Sequence, residues 1–142
     1  MTISVRRLGP DDAEVVLAAG HLFDAAPNPG WTADVLSRPG HHLLFAFEDE
    51  VPVGFATCIE MAHPDKGTEV MIYELGVDEP HRRNGIGRLL VERSLDLARA
   101  RGCYGAWTVT EDDNAAALAT YRSAGAEPDP TCVTQVWDWR AG

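Results

Sequence analysis

Basic residues are scarce in this chain of 142 residues: 12 Lys and Arg stand against 22 Asp and Glu, a formal charge of −10. A protein that grips a phosphate backbone needs a basic surface, so nucleic acid is not an expected partner. The same imbalance would draw in small cations such as polyamines or amino sugars, or would only keep the surface soluble. Cysteine is scarce too. Cys58, Cys103 and Cys132 are odd in number, far apart and without a C-x-x-C pair, which speaks against a disulfide framework and a zinc site. They read as buried packing thiols in a reducing, cytoplasmic setting. No stretch approaches the roughly 18 apolar residues of a membrane span, and Met1 to Leu8 has no apolar core of a signal peptide, so no membrane partner is expected. His21, His41, His42, His63 and His81 show no metal-ligand spacing, and no metal is expected.

What is present is an ordinary globular composition, 45% hydrophobic and 24% charged, sized for a single domain over 1–142. Thr2 to Leu8 reads as a strand, broken by Gly9-Pro10. Val15, Val16, Ala19, Leu22 and Phe23 recur at helical spacing and predict a helix from Ala13 to Ala26, closed by Pro27-Asn28-Pro29-Gly30. A short helix over Thr32 to Ser37, capped by Thr32, precedes two β-prone runs, His42 to Phe47 and Val53 to Met61. Glu48-Asp49-Glu50 between them makes a hairpin turn, with Val51-Pro52 at its edge. After the loop His63 to Gly67, Glu69 to Val77 predicts a central strand. Gly85 to Arg101 predicts a helix striped by Ile86, Leu89, Leu90, Leu97 and Ala98 and ended by Gly102. Tyr104 to Thr110 follows as a strand, Asn114 to Ala124 as a helix, and Thr131 to Trp139 as a closing strand. Such an order gives the α/β class, a mixed sheet covered by helices.

The stretch Leu75 to Leu90, L-G-V-D-E-P-H-R-R-N-G-I-G-R-L-L, leads from a strand through a polar turn into a helix. N–H groups at a helix start are unpaired and carry partial positive charge, so a pyrophosphate can be held there. Glycines let that backbone come close, and Arg82, Arg83 and Arg88 gather three cations in an otherwise acidic chain. An ordinary glycine turn with solvated arginines is the plain alternative. Leu90 stands where a third dinucleotide-binding glycine would fall, and no Gly-Lys-Ser/Thr follows, so dinucleotides and ATP are not expected.

Leu75-Gly76-Val77 followed by Arg82-Arg83-Asn84-Gly85-Ile86-Gly87 resembles the acetyl-CoA motif of the GNAT superfamily of N-acetyltransferases, usually Gln/Arg-x-x-Gly-x-Gly/Ala. A second motif of that family is matched where Asn114 opens a helix bearing Ala117 and Tyr121, with Gly125 after it. The resemblance covers nearly the whole chain and is closest in wording to the type I aminoglycoside 3-N-acetyltransferases, although Gly125-Ala126 stands where Gly-Phe is common and Pro128 and Pro130 make the last hairpin irregular. It implies a twisted mixed sheet with splayed strands, acetyl-CoA as cosubstrate and direct attack by a primary amine, the acceptor being an aminoglycoside or similar small polycation. The acetyl-pantetheine arm would bond the backbone of Leu75 and Val77, with Gly76 marking a bulge. Arg82, Arg83, Asn84, Gly85, Ile86, Gly87 and Arg88 would hold the pyrophosphate, chiefly through N–H groups, while the Ile86 side chain faces the core. Asn114 would bond the pantetheine arm, with Ala117 also at the cofactor, and Asn114 could equally be a helix cap or serve as both. Glu74 is the candidate base, acting directly or through water, or else a salt-bridge partner of Arg82 or Arg83. Tyr121 would protonate the leaving thiolate, or merely pack. His81 could touch phosphate, and Trp107 could line the acceptor pocket. Protein N-termini, polyamines and xenobiotic amines are alternative acceptors, differing along Phe23 to His42 and Ala62 to Thr68. A non-catalytic acyl-CoA sensor is the alternative of another class. A homodimer through Val133, Val136, Trp137 and Trp139 is a further expectation.

Overall fold

A computed structural model describes residues 2–140. Five strands form one sheet in the order β1 (Ile3–Arg7), β2 (His41–Glu48), β3 (Val51–His63), β4 (Gly67–Val77) and β5 (Gly105–Thr108). The first three pairings are antiparallel and β4 with β5 is parallel. A parallel neighbour needs a crossover, and α3 (Ile86–Ala100) supplies it. Its apolar stripe lays Ile86 and Leu90 on Leu44, Ala46, Val53 and Ala56. Further along, Val91 and Ala98 meet Cys58, Val70 and Ile72. Gly54 is required beneath this helix, since a Cβ there would lie 3.1 Å from Leu90 Cδ1 and 3.0 Å from the Gly76 carbonyl oxygen. On the opposite face α1 (Ala13–Leu17) and α2 (Pro29–Ser37) cover Leu43, Phe45, Phe47 and Phe55. The last helix, α4 (Ala115–Ser123), packs Tyr121 and Ala124 beside α3. No helix among the described residues is long and apolar enough to cross a membrane.

Several sequence expectations are corrected. The helix expected over Ala13 to Ala26 stops at Leu17 and gives way to a 3₁₀ turn over Gly20–Leu22. Gly20 in a helix interior is unfavourable by about 1 kcal/mol. The apolar spacing still sorts burial, because Val16 and Ala19 are buried and Val15, Leu22 and Phe23 pack on them. The second helix begins at Pro29, and its cap is Asn28, whose side chain accepts the Trp31 N–H at 3.0 Å; Thr32 is buried inside it. Cys58 alone of the three thiols is buried; Cys103 is half-buried and Cys132 exposed. The closing strand over Thr131 to Trp139 does not form, and from Gly125 to Arg140 the chain is exposed without helix or strand.

Candidate functional site

The pairing of β4 with β5 ends at Ile72 opposite Thr108, where the Thr108 hydroxyl donates to the Ile72 carbonyl at 2.7 Å. Beyond that point β4 runs on to Val77 beside β3 alone. The register against β3 slips at the same place: Cys58 faces Ile72 and Thr57 faces Glu74, so Tyr73 is a bulge residue. Strand alternation would put Glu74 on the buried face of Ile72. The extra residue turns it over, leaving Tyr73 and Glu74 both exposed in succession. The bulge expected at Gly76 thus lies three residues earlier. Gly76 serves a different need, for a Cβ there would sit 2.6 Å from Phe55 Cε1.

The hydrogen-bond phase decides which backbone groups of β4 face the opening. Asp78 N–H donates to the Val53 carbonyl at 2.8 Å, and Val77 lies opposite Gly54 in the same register. In an antiparallel ladder bonded and non-bonded pairs alternate, so Leu75 and Val77 point their N–H and C=O away from β3, into the gap. The Val77 carbonyl is taken by Arg82 Nε at 3.0 Å.

The turn into α3 is built around left-handed backbone. Gly85, the N-cap, has φ 77°, and Arg83 has φ 67°. Asn84 Nδ2 donates to the His81 carbonyl at 3.2 Å and steadies the loop. Asn28 and Asn114 cap α2 and α4 with their side chains, whereas α3 has no side-chain cap. Among the described residues, the N–H groups of Arg83, Asn84, Gly85, Ile86, Gly87 and Arg88 have no acceptor; the first helical bond is from Leu89 N–H to the Gly85 carbonyl at 3.0 Å. Six open donors and the helix dipole make this a cradle fit for an anion. The Ile86 side chain is buried in the core as expected. Gly87 lies under α4, 3.6 Å from Thr120 Cγ2 at its would-be Cβ. Arg88 pairs with Glu92 at 2.7 Å, an exposed contact worth little, while Arg83 has no acidic partner among the described residues.

A cleft of about 810 Å³ opens along the free part of β4, bounded by Glu74, Gly76, Arg82, Asn114, Ala117 and Tyr121; its lining reaches Arg82, the residue before the turn into α3. Asn114 Oδ1 accepts the Ala117 N–H at 3.1 Å, so this side chain is both cap and wall. Tyr121 packs on the α3 side of the sheet, and its hydroxyl has no hydrogen-bond partner among the described residues. Glu74 lies on the other face, where Thr57 Oγ1 donates to its carboxylate at 3.3 Å; it makes no ion pair with Arg82 or Arg83. A carboxylate and a phenol therefore approach the opening from opposite faces.

Sequence reading missed part of the wall. His21, Phe23 and Asp24 reach the cleft from the loop after α1, and Val109 and Thr110 take the place expected for Trp107. The hairpin over Ala62 to Thr68 does not border it, because it lies at the other end of β4. His81 pairs with Glu48 at 2.8 Å and faces Asp78 at 3.5 Å. Among the described residues no three His, Cys, Asp or Glu side chains gather as a metal site.

A mycothiol acetyltransferase from Nocardia farcinica is 34% identical over 133 residues, covering 84% of this chain, which spans only 43% of that protein's length. An aminoglycoside acetyltransferase from an uncultured soil metagenomic sample has the same fold, with a TM-score of 0.83 at 19% identity over 96% of this chain and 95% of its own. An aminoglycoside N-acetyltransferase solved in complex with CoA superposes with a TM-score of 0.76 at 18% identity, covering 96% and 95% of the two chains. The model of the acetyltransferase (GNAT) family matches residues 13–126, so a splayed mixed sheet with an uncapped, glycine-bent helix start has its explanation: the chain belongs to that family.

Proposed function

We propose that this chain transfers an acetyl group from acetyl-CoA to a primary amine, both held in the cleft at the parting of β4 and β5. The observation that carries the reading is the succession, within a few residues, of an open strand edge that lines the cleft and a row of six unpaired N–H groups at the start of α3, just beyond Arg82 at the cleft's border. When bound, acetyl-CoA supplies an activated acyl group on sulfur. Leu75 and Val77 offer the backbone groups that an extended amide-bearing arm would pair with, as an added strand pairs with a sheet edge. Residues Arg83 to Arg88 offer N–H donors to a diphosphate, and the dipole of α3 adds about 0.3–1 kcal/mol for an anion at its start. The free amide of Asn114 and the small Ala117 leave room beside the arm.

An alkylammonium with pKa about 10.4 must lose a proton before it can attack, at a cost near pH 7 of about 4–5 kcal/mol. Glu74, held by Thr57, takes that proton through a water; a direct carboxylate contact would stabilise the charged amine instead. Tyr121, from the other face, gives its phenolic proton to the departing sulfur. Attack is direct, since none of the three cysteines borders the cleft. The acceptor is a small polycation of the aminoglycoside kind, because Asp24, Glu74, Asp78 and Glu79 border the cleft against Arg82 alone among Lys and Arg.

The test is a thiol-release assay with acetyl-CoA and a panel of amines: aminoglycosides, polyamines, small aromatic amines and peptides with free N-termini. Turnover strongest on the polycations supports the reading. Turnover confined to peptides would move the acceptor class. Calorimetric binding of CoA with no turnover on any amine would make the chain an acyl-CoA sensor, and no binding at all would end the proposal.

A further inference from the structure

His81 takes no part in the proposed transfer, yet its Nδ1 is the one buried side-chain nitrogen or oxygen among the described residues without a hydrogen-bond partner. A polar atom left in that state calls for a reason. His81 closes the 3₁₀ turn Glu79–His81 between β4 and α3, and its half-buried ring stands between two half-buried carboxylates. Nε2 lies 2.8 Å from Glu48 Oε2, at the end of β2, and Nδ1 lies 3.5 Å from Asp78 Oδ2, at the start of the turn. The second distance is about half an ångström longer than a good hydrogen bond. No other carboxylate pairs with the ring among the described residues. Carboxylate oxygens only accept, so the ring meets both best as an imidazolium with a proton on each nitrogen.

The contacts of this one residue run from the sheet to the anion cradle. Its ring reaches the β2–β3 hairpin through Glu48. Its N–H donates to the Asp78 carbonyl at 2.8 Å, and the Asp78 N–H donates to the Val53 carbonyl at 2.8 Å, so the turn is tied to that hairpin twice. Its carbonyl accepts Asn84 Nδ2 at 3.2 Å, within the run of open N–H groups. Between His81 and Asn84, Arg83 stands at φ 67°, a conformation that a residue with a side chain keeps only where its surroundings hold it. α3 has no side-chain cap that would do so.

We propose that His81 is a positioning residue for the diphosphate: braced between Glu48 and Asp78, it fixes the turn so that the N–H groups of Arg83 to Arg88 are aimed before the cofactor arrives. A cradle already ordered loses less freedom on binding, and affinity rises accordingly. Glu48 does not border the cleft, so the hairpin acts on cofactor binding through His81 alone. The inference rests on the reading of this turn as the coenzyme A site.

The test is calorimetry with CoA on the unaltered chain, His81→Phe, Glu48→Gln and the double variant, with a melt of each to check folding. His81→Phe keeps a ring and loses both donors, and its Kd for CoA should rise about 5-fold or more. Glu48→Gln should also weaken binding, and adding it to His81→Phe should weaken it no further, because the brace is already gone. In thiol release, His81→Phe should raise KM for acetyl-CoA with kcat much less affected, a split that a loss of stability alone would not give. Unchanged affinity in folded His81→Phe would overturn the brace and leave the acetyl-transfer reading standing, whereas no CoA binding by the unaltered chain would end both. Tighter binding in Glu48→Gln would also overturn it, since the histidine would then only be masking a carboxylate that repels the diphosphate. So would losses that simply add in the double variant. Should His81→Phe fail to fold, Glu48→Gln decides: weaker binding supports the brace, and equal or tighter binding overturns it.

Discussion

Replacing Gly76 by alanine tests the architecture of the opening directly. The glycine has no positive φ, so alanine is allowed there conformationally, and the whole effect comes from the new Cβ. That atom would lie 2.6 Å from Phe55 Cε1 and 3.2 Å from Cδ1, well inside contact distance. Phe55 has little freedom to retreat, being 6% exposed with the Phe23 ring centroid 4.7 Å from its own. Over-packing of this kind costs about 1–3 kcal/mol. Phe55→Leu, which removes the obstructing ring edge, should by itself cost about 1–2 kcal/mol in lost burial and packing. If the clash is the cause, the double variant should be less destabilised than the sum of the two by about 1–2 kcal/mol, since the ring that is struck is no longer there. Urea denaturation measures the cycle, and each kcal/mol should also move Tm by roughly 3–5 °C for a chain of this size. Affinity for CoA should fall in Gly76→Ala and partly return in the double variant, because Gly76 sits between the two residues whose backbone faces the gap. Additivity within about 0.5 kcal/mol would refute the close contact, and with it the account of why this position is glycine.

Glu74→Gln should lower kcat by about 10²–10⁴-fold while CoA binding by calorimetry stays unchanged; a similar kcat would return Glu74 to a surface role. Tyr121→Phe should also lower kcat with little change in Tm, and the opposite pattern, a stable rate with a lower Tm, would mean that the tyrosine only packs. Gly85→Ala should cost about 1–2 kcal/mol from backbone strain alone, since φ is 77° and no atom lies within 4 Å of the added Cβ; a Tm equal to the parent's would contradict that turn. His42 should make the fold acid-sensitive: burial holds its pKa below the ordinary 6.5, Glu60 at 2.6 Å opposes that, and the Arg7 charge adds to it. The unfolded chain therefore takes up this proton first, so stability is full above pH 6.5 and falls as pH drops from there through the lowered value. In His42→Gln that slope should flatten, and identical slopes in urea melts across this window would show that the histidine is not the cause.

The parts of the fold that were legible in the sequence are those whose causes are local. The turn before α3 needs a left-handed residue and an uncapped helix start, and Gly85 and the arginines around it announce both within a few positions. The stripe on α3 declares which side faces the sheet, and Ile86 and Leu90 are buried as that stripe requires. Causes that lie in another part of the chain leave no such mark. The bulge at Tyr73 depends on how β3 and β4 fall into register, which no window of β4 contains. Asp24 reaches the cleft because a helical pattern that reads as continuous to Ala26 stops at Leu17, and the turn and loop that follow are carried to the cleft. Thr131 to Trp139 carries strand-forming residues, yet a strand exists only when a neighbour accepts its hydrogen bonds.

That single extra residue at Tyr73 has consequences beyond its own position. The parallel pairing with β5 stops at Ile72, the residue just before it, so the gap begins where the register slips. The slip also turns Glu74 out of the core face and towards Thr57, while Leu75 stays packed under α3. One irregularity thus coincides with the opening of the sheet, puts a carboxylate at its mouth and keeps the strand anchored on both sides of it. The charge pattern follows the same division. Arg82 borders the cleft towards the turn with the unpaired N–H groups at the start of α3, Asp78 and Glu79 stand just before it, and Asp24 and Glu74 lie on the α1 side. An anionic donor and a cationic acceptor would then enter from opposite directions and meet at the gap. Deleting Tyr73 to restore the register should therefore close the gap and bury Glu74 together.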